Sequence, residues 1–190
     1  QRQMCIRDSI EVDPTKEYES FPLTEIQHAY LVSRGDSSSQ ATVGTTYCQI
    51  FAVDEIDLDR LDAAWGKVQK RHGMMRASVE EDGTQSIAPS SKIEHIERAE
   101  CANSSEAKQQ LEEIKRTVFA LANPPLHRVV SISWHEESGK QTRLVFCFDY
   151  TVLDALSVMT VLAELAELYE NPGACLLYTS PSPRDAHESR

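Results

Sequence analysis

Apolar side chains recur at helical intervals in "LDRLDAAWGKVQKRH", where Leu58, Leu61, Trp65 and Val68 fall on one side and Asp57 stands ready to cap the first turn. The same period predicts a helix capped by Thr24 and running through Ser33, with Ile26, Ala29 and Tyr30 on one face. It predicts a charged helix over 105–121 with Leu111, Ile114 and Val118 as its buried stripe. A last helix runs from Leu156 to Tyr169, carries Leu162, Leu165 and Tyr169 on one side, and stops at Asn-Pro-Gly. Between these lie β-branched and aromatic runs that predict strands: "TTYCQIFAV" (45–53), "LHRVVSISW" (126–134) and "TRLVFCFD" (142–149). The last two are joined by the polar turn Glu137-Ser138-Gly139-Lys140. "MMRASVEEDGTQSIA" predicts two short strands around Asp82-Gly83, a pair suited to a tight hairpin. Helices and strands interleave, so the class is α/β or α+β around one core. Strands 45–53, 127–134 and 142–149 are expected to share a sheet, with helices 58–72 and 156–169 packed on it.

Composition adds exclusions. At 190 residues, 41% hydrophobic and 26% charged, the chain can bury one ordinary core or fill one lobe of something larger. A net charge of -11 argues against nucleic acid, whose phosphates call for a basic face. No apolar run approaches the ~20 residues of a membrane span, and the reading is of a cytoplasmic protein. The five cysteines (5, 48, 101, 147 and 175) are odd in number and lack CxxC spacing. They predict free thiols, Cys48 and Cys147 inside strands, with neither a disulfide framework nor a metal site.

The two ends differ from the middle. Residues 1–9 and 175–190 show neither period, and both resemble translated read-through of sequencing adapters. The natural sequence is then expected over 10–174, with both ends making few contacts.

The candidate chemistry sits in "FCFDYTVLDALS", where a strand ends at Asp149 and a helix opens after Asp154. Such a strand-to-helix turn holds side chains at an edge between rigid elements. Asp154 suits a helix cap. A carboxylate at Asp149, next to Phe146 and Phe148, is costly to bury unless it is paired or reached by water, so it has either an active-site role or an Arg partner. Ser157 in the first helical turn suits a local hydrogen bond or a substrate contact. Arg71, His72 and Arg76 follow a helix C-terminus, where cations are favoured, and read as scaffold. His28 reads as part of a solvated face.

Three ordered stretches, "FPLTEIQHAY" (21–30), "RHGMMRASVEEDGTQ" (71–85) and the D-x-x-x-x-D-x-x-S of "DYTVLDALS" (149–157), together resemble the heterocyclization variant of nonribosomal peptide synthetase condensation domains. Ordinary condensation domains carry H-H-x-x-x-D-G at this turn; here Asp149-Tyr150 replaces the His pair and Ala155 the Gly. In "AYLVSR", Ser33 stands where the family has Gly. The resemblance implies the N-terminal half of a chloramphenicol acetyltransferase-like fold whose active site lies between two lobes. It implies Asp149, Asp154 and Ser157 as catalytic candidates, Asp154 also as a structural one, and Tyr150 against substrate. It further implies amide formation between a carrier-bound acyl thioester and a carrier-bound Cys, Ser or Thr, then cyclodehydration to a thiazoline or oxazoline. No cofactor or metal would be bound directly, because substrates ride on the phosphopantetheine of carrier domains. Partners would be those carriers, an adenylation domain and the second lobe. The alternatives are another acyltransferase of the superfamily, which calls for a His at Tyr150, and a non-catalytic carrier-binding lobe using a basic patch such as Lys67, Lys70 and Arg71.

Overall fold

The computed structural model describes residues 18–35, 45–89, 93–174 and 176. Its elements are β1 (Phe21–Pro22), α1 (Glu25–Gly35), β2 (Thr46–Val53), α2 (Leu58–Arg71), a 3-10 turn (Gly73–Arg76), β3 (Ala77–Val79), β4 (Thr84–Ile87), β5 (Glu97–Glu100), α3 (Ser104–Lys115), β6 (His127–Glu136), β7 (Gly139–Asp149) and α4 (Ala155–Glu170). The main sheet has the order β2-β7-β6-β5, and a small sheet has the order β1-β4-β3. Strands β2, β7 and β6 pair antiparallel, as the sequence pattern anticipates, while β5 joins β6 in parallel after a crossover through α3.

Alternation along the strands divides the core in two. Phe146, Phe148, Leu144 and Val129 meet Leu61, Trp65 and Val68 of α2 and Val158, Val161 and Leu165 of α4. Val130, Ile132, Trp134, Val145 and Cys147 point to the other face, under Ala107 and Ile114 of α3. Asp57 caps α2 as expected, its carboxylate accepting from the Asp59 and Arg60 N–H groups at 3.0 Å. The hairpin between β3 and β4 turns at Gly83, whose φ of +83° suits glycine, and His28 lies directly over it.

The scaffold reading of the basic residues after α2 holds. Arg76, buried, donates from Nε to the Ala88 carbonyl at 2.9 Å and from Nη1 to the Gln69 and Lys70 carbonyls, closing the end of α2. Arg71 and His72 both meet the Glu164 carboxylate on α4, at 3.2 and 2.6 Å. Lys67 donates to the Pro172 carbonyl at 2.6 Å. Two of the three residues of the suggested basic docking patch are therefore engaged in holding α2 to α4 and to the turn that follows it.

Other expectations need correction. Cys48 and Cys147 are not free thiols. They stand opposite each other in the β2–β7 register, with Cα atoms 4.2 Å apart, and form a disulfide. Helix α3 ends at Lys115, and the chain beyond Arg116 bends so that Phe119 packs between both cores while Val118 is 54% exposed. On α1 the expected apolar face is mostly outward: Ile26 is 68% exposed and Ala29 is exposed, Tyr30 is half-buried, and Gln27 is buried. Strand β5, charged as "ERAE", carries no apolar signal and was not anticipated. The expectations for 1–9 and 175–190 lie outside the described residues, save Leu176, which packs partly buried against the main core.

Candidate functional site

The turn from β7 to α4 is built around Asp149. Strand β7 carries this residue past Phe146 and Phe148 into the core, where it is fully buried. One carboxylate oxygen pairs with the Arg34 guanidinium from α1. The other accepts from the Thr45 hydroxyl at 2.8 Å and the Thr151 N–H at 2.9 Å. Arg34 also donates to the Thr45 hydroxyl at 2.6 Å and the Phe119 carbonyl at 3.0 Å. The cost of burying a carboxylate among aromatic rings is thus met by a cation and two neutral donors. Asp149 does not face an open side, contrary to the role of a catalyst reaching substrate directly; its oxygens are consumed by the scaffold.

Asp154 is exposed and caps α4, accepting from the Ser157 N–H at 2.7 Å. Hydrogen bonds from the Ser157 hydroxyl and its N–H hold the carboxyl below the usual carboxylate range. The two residues form one local cap, with Ser157 half-buried. Asp154→Ala is expected to cost about 1 kcal/mol, the ordinary worth of a helix cap, in a chemical unfolding titration. A loss several times larger would assign this side chain a tertiary role.

Tyr150 lies between these acids and points elsewhere. Its ring stacks on Tyr47 of β2, centroids 5.5 Å apart and planes 13° from parallel. The pair closes one end of an open groove of about 330 Å³, floored by Gln49 and Phe51 and walled by Ala155, Val158, Met159 and Leu162 of α4. Tyr47, Gln49 and Phe51 alternate along one face of the edge strand, which α4 covers incompletely. Leu156 and Met159 remain 72% and 68% exposed beside it. Burial, together with the nearby Tyr47 and Tyr30, pushes the Tyr150 phenol up, so it is neutral at physiological pH. It can donate or accept a hydrogen bond there, but it is no base.

The structure therefore separates the four candidate residues. Asp149 supports the turn from beneath, Asp154 and Ser157 start the helix, and Tyr150 alone lines the groove. Sequence reasoning missed Arg34, Gln27, Thr45 and Tyr47. The seven-residue spacing of Gln27 and Arg34, close to two helical turns, is the signal that could have placed both on one face. Among the described residues no His, Cys, Asp or Glu cluster could hold a metal, and no helix is long and apolar enough to cross a membrane.

Comparison with known proteins bears on the family and the fold. The family model for the condensation domain matches residues 17–174. Bacitracin synthase 1 of Bacillus licheniformis is 30% identical over 176 residues, covering 91% of this chain and 3% of that protein. Phenyloxazoline synthase MbtB of Mycolicibacterium paratuberculosis is 31% identical over 164 residues, covering 83% of this chain and 14% of that protein. The chain thus spans a small part of the curated relatives it matches. The EpoB cyclization-docking bidomain from Sorangium cellulosum superposes with a TM-score of 0.79 at 29% identity, over 94% of this chain and 36% of that one. The lobe has the fold of the N-terminal part of such domains, similar to chloramphenicol acetyltransferase, and the chain belongs to the condensation domain family of nonribosomal peptide synthetases.

Proposed function

We propose that residues 10–174 are the N-terminal lobe of a heterocyclization-type condensation domain, and that 1–9 and 175–190 are foreign to it. The domain joins a carrier-bound acyl or peptidyl thioester to the amine of a carrier-bound Cys, Ser or Thr and cyclodehydrates the product to a thiazoline or oxazoline. The observation that carries this reading is the turn itself: D-x-x-x-x-D-x-x-S folds with its acids as supports and presents a neutral phenol, Tyr150, at the groove. An imidazole at that position would be a base for the acceptor amine; a phenol with raised proton affinity is not. The lobe then contributes orientation, holding two thioester-borne reactants together, which is worth more than one proton transfer. The names of two similar proteins, a phenyloxazoline synthase and a cyclization bidomain, support the choice of variant.

Both substrates arrive on phosphopantetheine arms of carrier domains in the same synthetase, and a second lobe completes the site. An acyltransferase using a His at Tyr150 has no such residue here, and a lobe that only binds carriers through Lys67 and Arg71 would find them occupied by α4 and the turn after it.

The test is product analysis on the complete domain, rebuilt from the natural gene, with carrier-loaded acyl donor and carrier-loaded Cys, Ser or Thr. A product lighter by one water than the linear amide is expected for one of the three acceptors. Linear amide alone with all three would sink the heterocyclization reading.

A further inference from the structure

The turn that presents Tyr150 is gripped from below at two points, and both grips come from α1. Arg34 holds Asp149 on one side of Tyr150. On the other side Gln27, one of the few buried polar residues of the lobe, donates from Nε2 to the Thr151 carbonyl at 2.8 Å. The two α1 residues stand seven apart, close to two helical turns, and therefore share a face. Tyr150 lies between the two anchored residues, and its own N–H donates to the Thr45 carbonyl at 2.9 Å.

Gln27 is itself fully committed. Its Nε2 also donates to Gln85 Oε1 at 2.9 Å, and its Oε1 accepts from Gln85 Nε2 at 3.1 Å, from the Thr24 N–H at 2.9 Å and from the Thr24 hydroxyl at 3.0 Å. Gln85, also buried, donates further to the Pro22 carbonyl at 3.2 Å. Two side-chain amides thus face each other reciprocally and tie α1 to β4, and one of them, Gln27, reaches onward to the turn. Each amide carries two N–H donors and spends one on its partner and one elsewhere, Gln85 on the Pro22 carbonyl and Gln27 on the Thr151 carbonyl. The Thr151 contact transmits the position of α1 to the backbone next to Tyr150.

We propose that Gln27 is a positioning residue for the condensation reaction: through the Thr151 carbonyl it sets where the Tyr150 phenol lies over the groove between β2 and α4. The inference rests on reading that groove as substrate-facing.

The test separates positioning from folding by using the pair. In the full chain, 3-fluorotyrosine is placed at position 150 and its fluorine spectrum is compared across Gln27→Met, Gln85→Met and the double variant. Both single changes leave one buried amide short of a partner and lower the melting temperature. Only Gln27→Met also removes the donor to Thr151, so it alone should displace or broaden the fluorine signal. The double variant should recover stability relative to the singles, because neither amide is orphaned, yet keep the displaced signal. It carries the same test if a single variant does not fold. A signal moved equally by Gln85→Met, or restored in the double variant, would overturn the proposal.

In the complete domain, Gln27→Met should lower amide formation about tenfold at saturating carrier-bound substrates with KM nearly unchanged, while Gln85→Met stays near wild type. Wild-type turnover in Gln27→Met would also overturn it. Amide formation is read whether or not a ring follows, so a domain that makes only linear product leaves this inference standing while the heterocyclization reading falls.

Discussion

Arg34→Met should cost roughly 3–5 kcal/mol of folding free energy, because it strands a fully buried carboxylate among Phe146, Phe148 and the turn backbone. For a chain of this size that corresponds to a fall of about 10 °C in melting temperature. The reverse change, Asp149→Asn, should be milder, since an amide oxygen can still accept from the Thr45 hydroxyl and the Thr151 N–H. Combining Arg34→Met with Asp149→Asn removes both charges and should recover part of the loss, as expected when a buried pair is dismantled rather than broken. Thermal melts of the three variants decide it. Arg34→Met melting within about 2 °C of wild type would mean that water reaches Asp149, and the supporting role assigned to this acid would fall. In the complete domain, Asp149→Asn should lose activity and stability in parallel.

The second large effect is a dependence on pH that starts at His127. This first residue of β6 is 4% exposed, and its ring stands edge-on to Trp65, centroids 5.2 Å apart. Among the described residues neither ring nitrogen has a partner at full hydrogen-bond geometry. Burial lowers the imidazole to about 4 from an ordinary value of 6.5, outweighing the opposing effect of the nearby Met75 backbone. Above pH 6.5 the ring is neutral folded and unfolded, so the full stability is present. As pH falls from 6.5 toward 4 the unfolded chain takes up the proton and the folded one does not, so stability declines through that window and levels off below it. The difference of more than two pH units amounts to about 3 kcal/mol. His127→Phe keeps a ring against Trp65 and has nothing to protonate, so its denaturant midpoint should change less between pH 7 and pH 4.5. Identical pH slopes in the two proteins would show that the imidazole is protonated while folded.

How far the sequence carried depended on whether a side chain's environment is apolar and local. Helix α2 and strands β6 and β7 were readable because Leu61, Trp65 and Val68 repeat with the helix and Val129, Phe146 and Phe148 alternate with the pleat. Helix α1 was placed correctly and faced wrongly, because its inward positions include the polar Gln27 and Arg34 beside Leu31 while its apolar Ile26 and Val32 are exposed. Periodicity scores hydrophobicity, and a helix that buries hydrogen-bonding groups defeats it. The α3 boundary failed for a related reason: Val118 continued the stripe, but Phe119 has two core surfaces to fill and the chain bends toward them. The Cys48–Cys147 bond needed the register of two strands 99 residues apart, which no spacing rule contains.

At the site the outcome was divided. The cap at Asp154 was legible because caps are local. The Asp149 environment was legible as a dilemma, partner or active site, since the flanking Phe residues already imposed the cost. Its resolution required Arg34, and nothing near Asp149 in the chain names it.

The grips of α1 on the turn also set a timetable for biosynthesis. Arg34 and Asp149 lie 115 residues apart, and Gln27 and Thr151 lie 124 apart. At translation rates of roughly 5–20 residues per second, α1 is made on the order of ten seconds before the turn it must hold. Throughout that interval the guanidinium and the amide face water or interim partners. A nascent chain that buried α1 early, by its more apolar Ile26 and Val32 side, would have to release it before the turn could close.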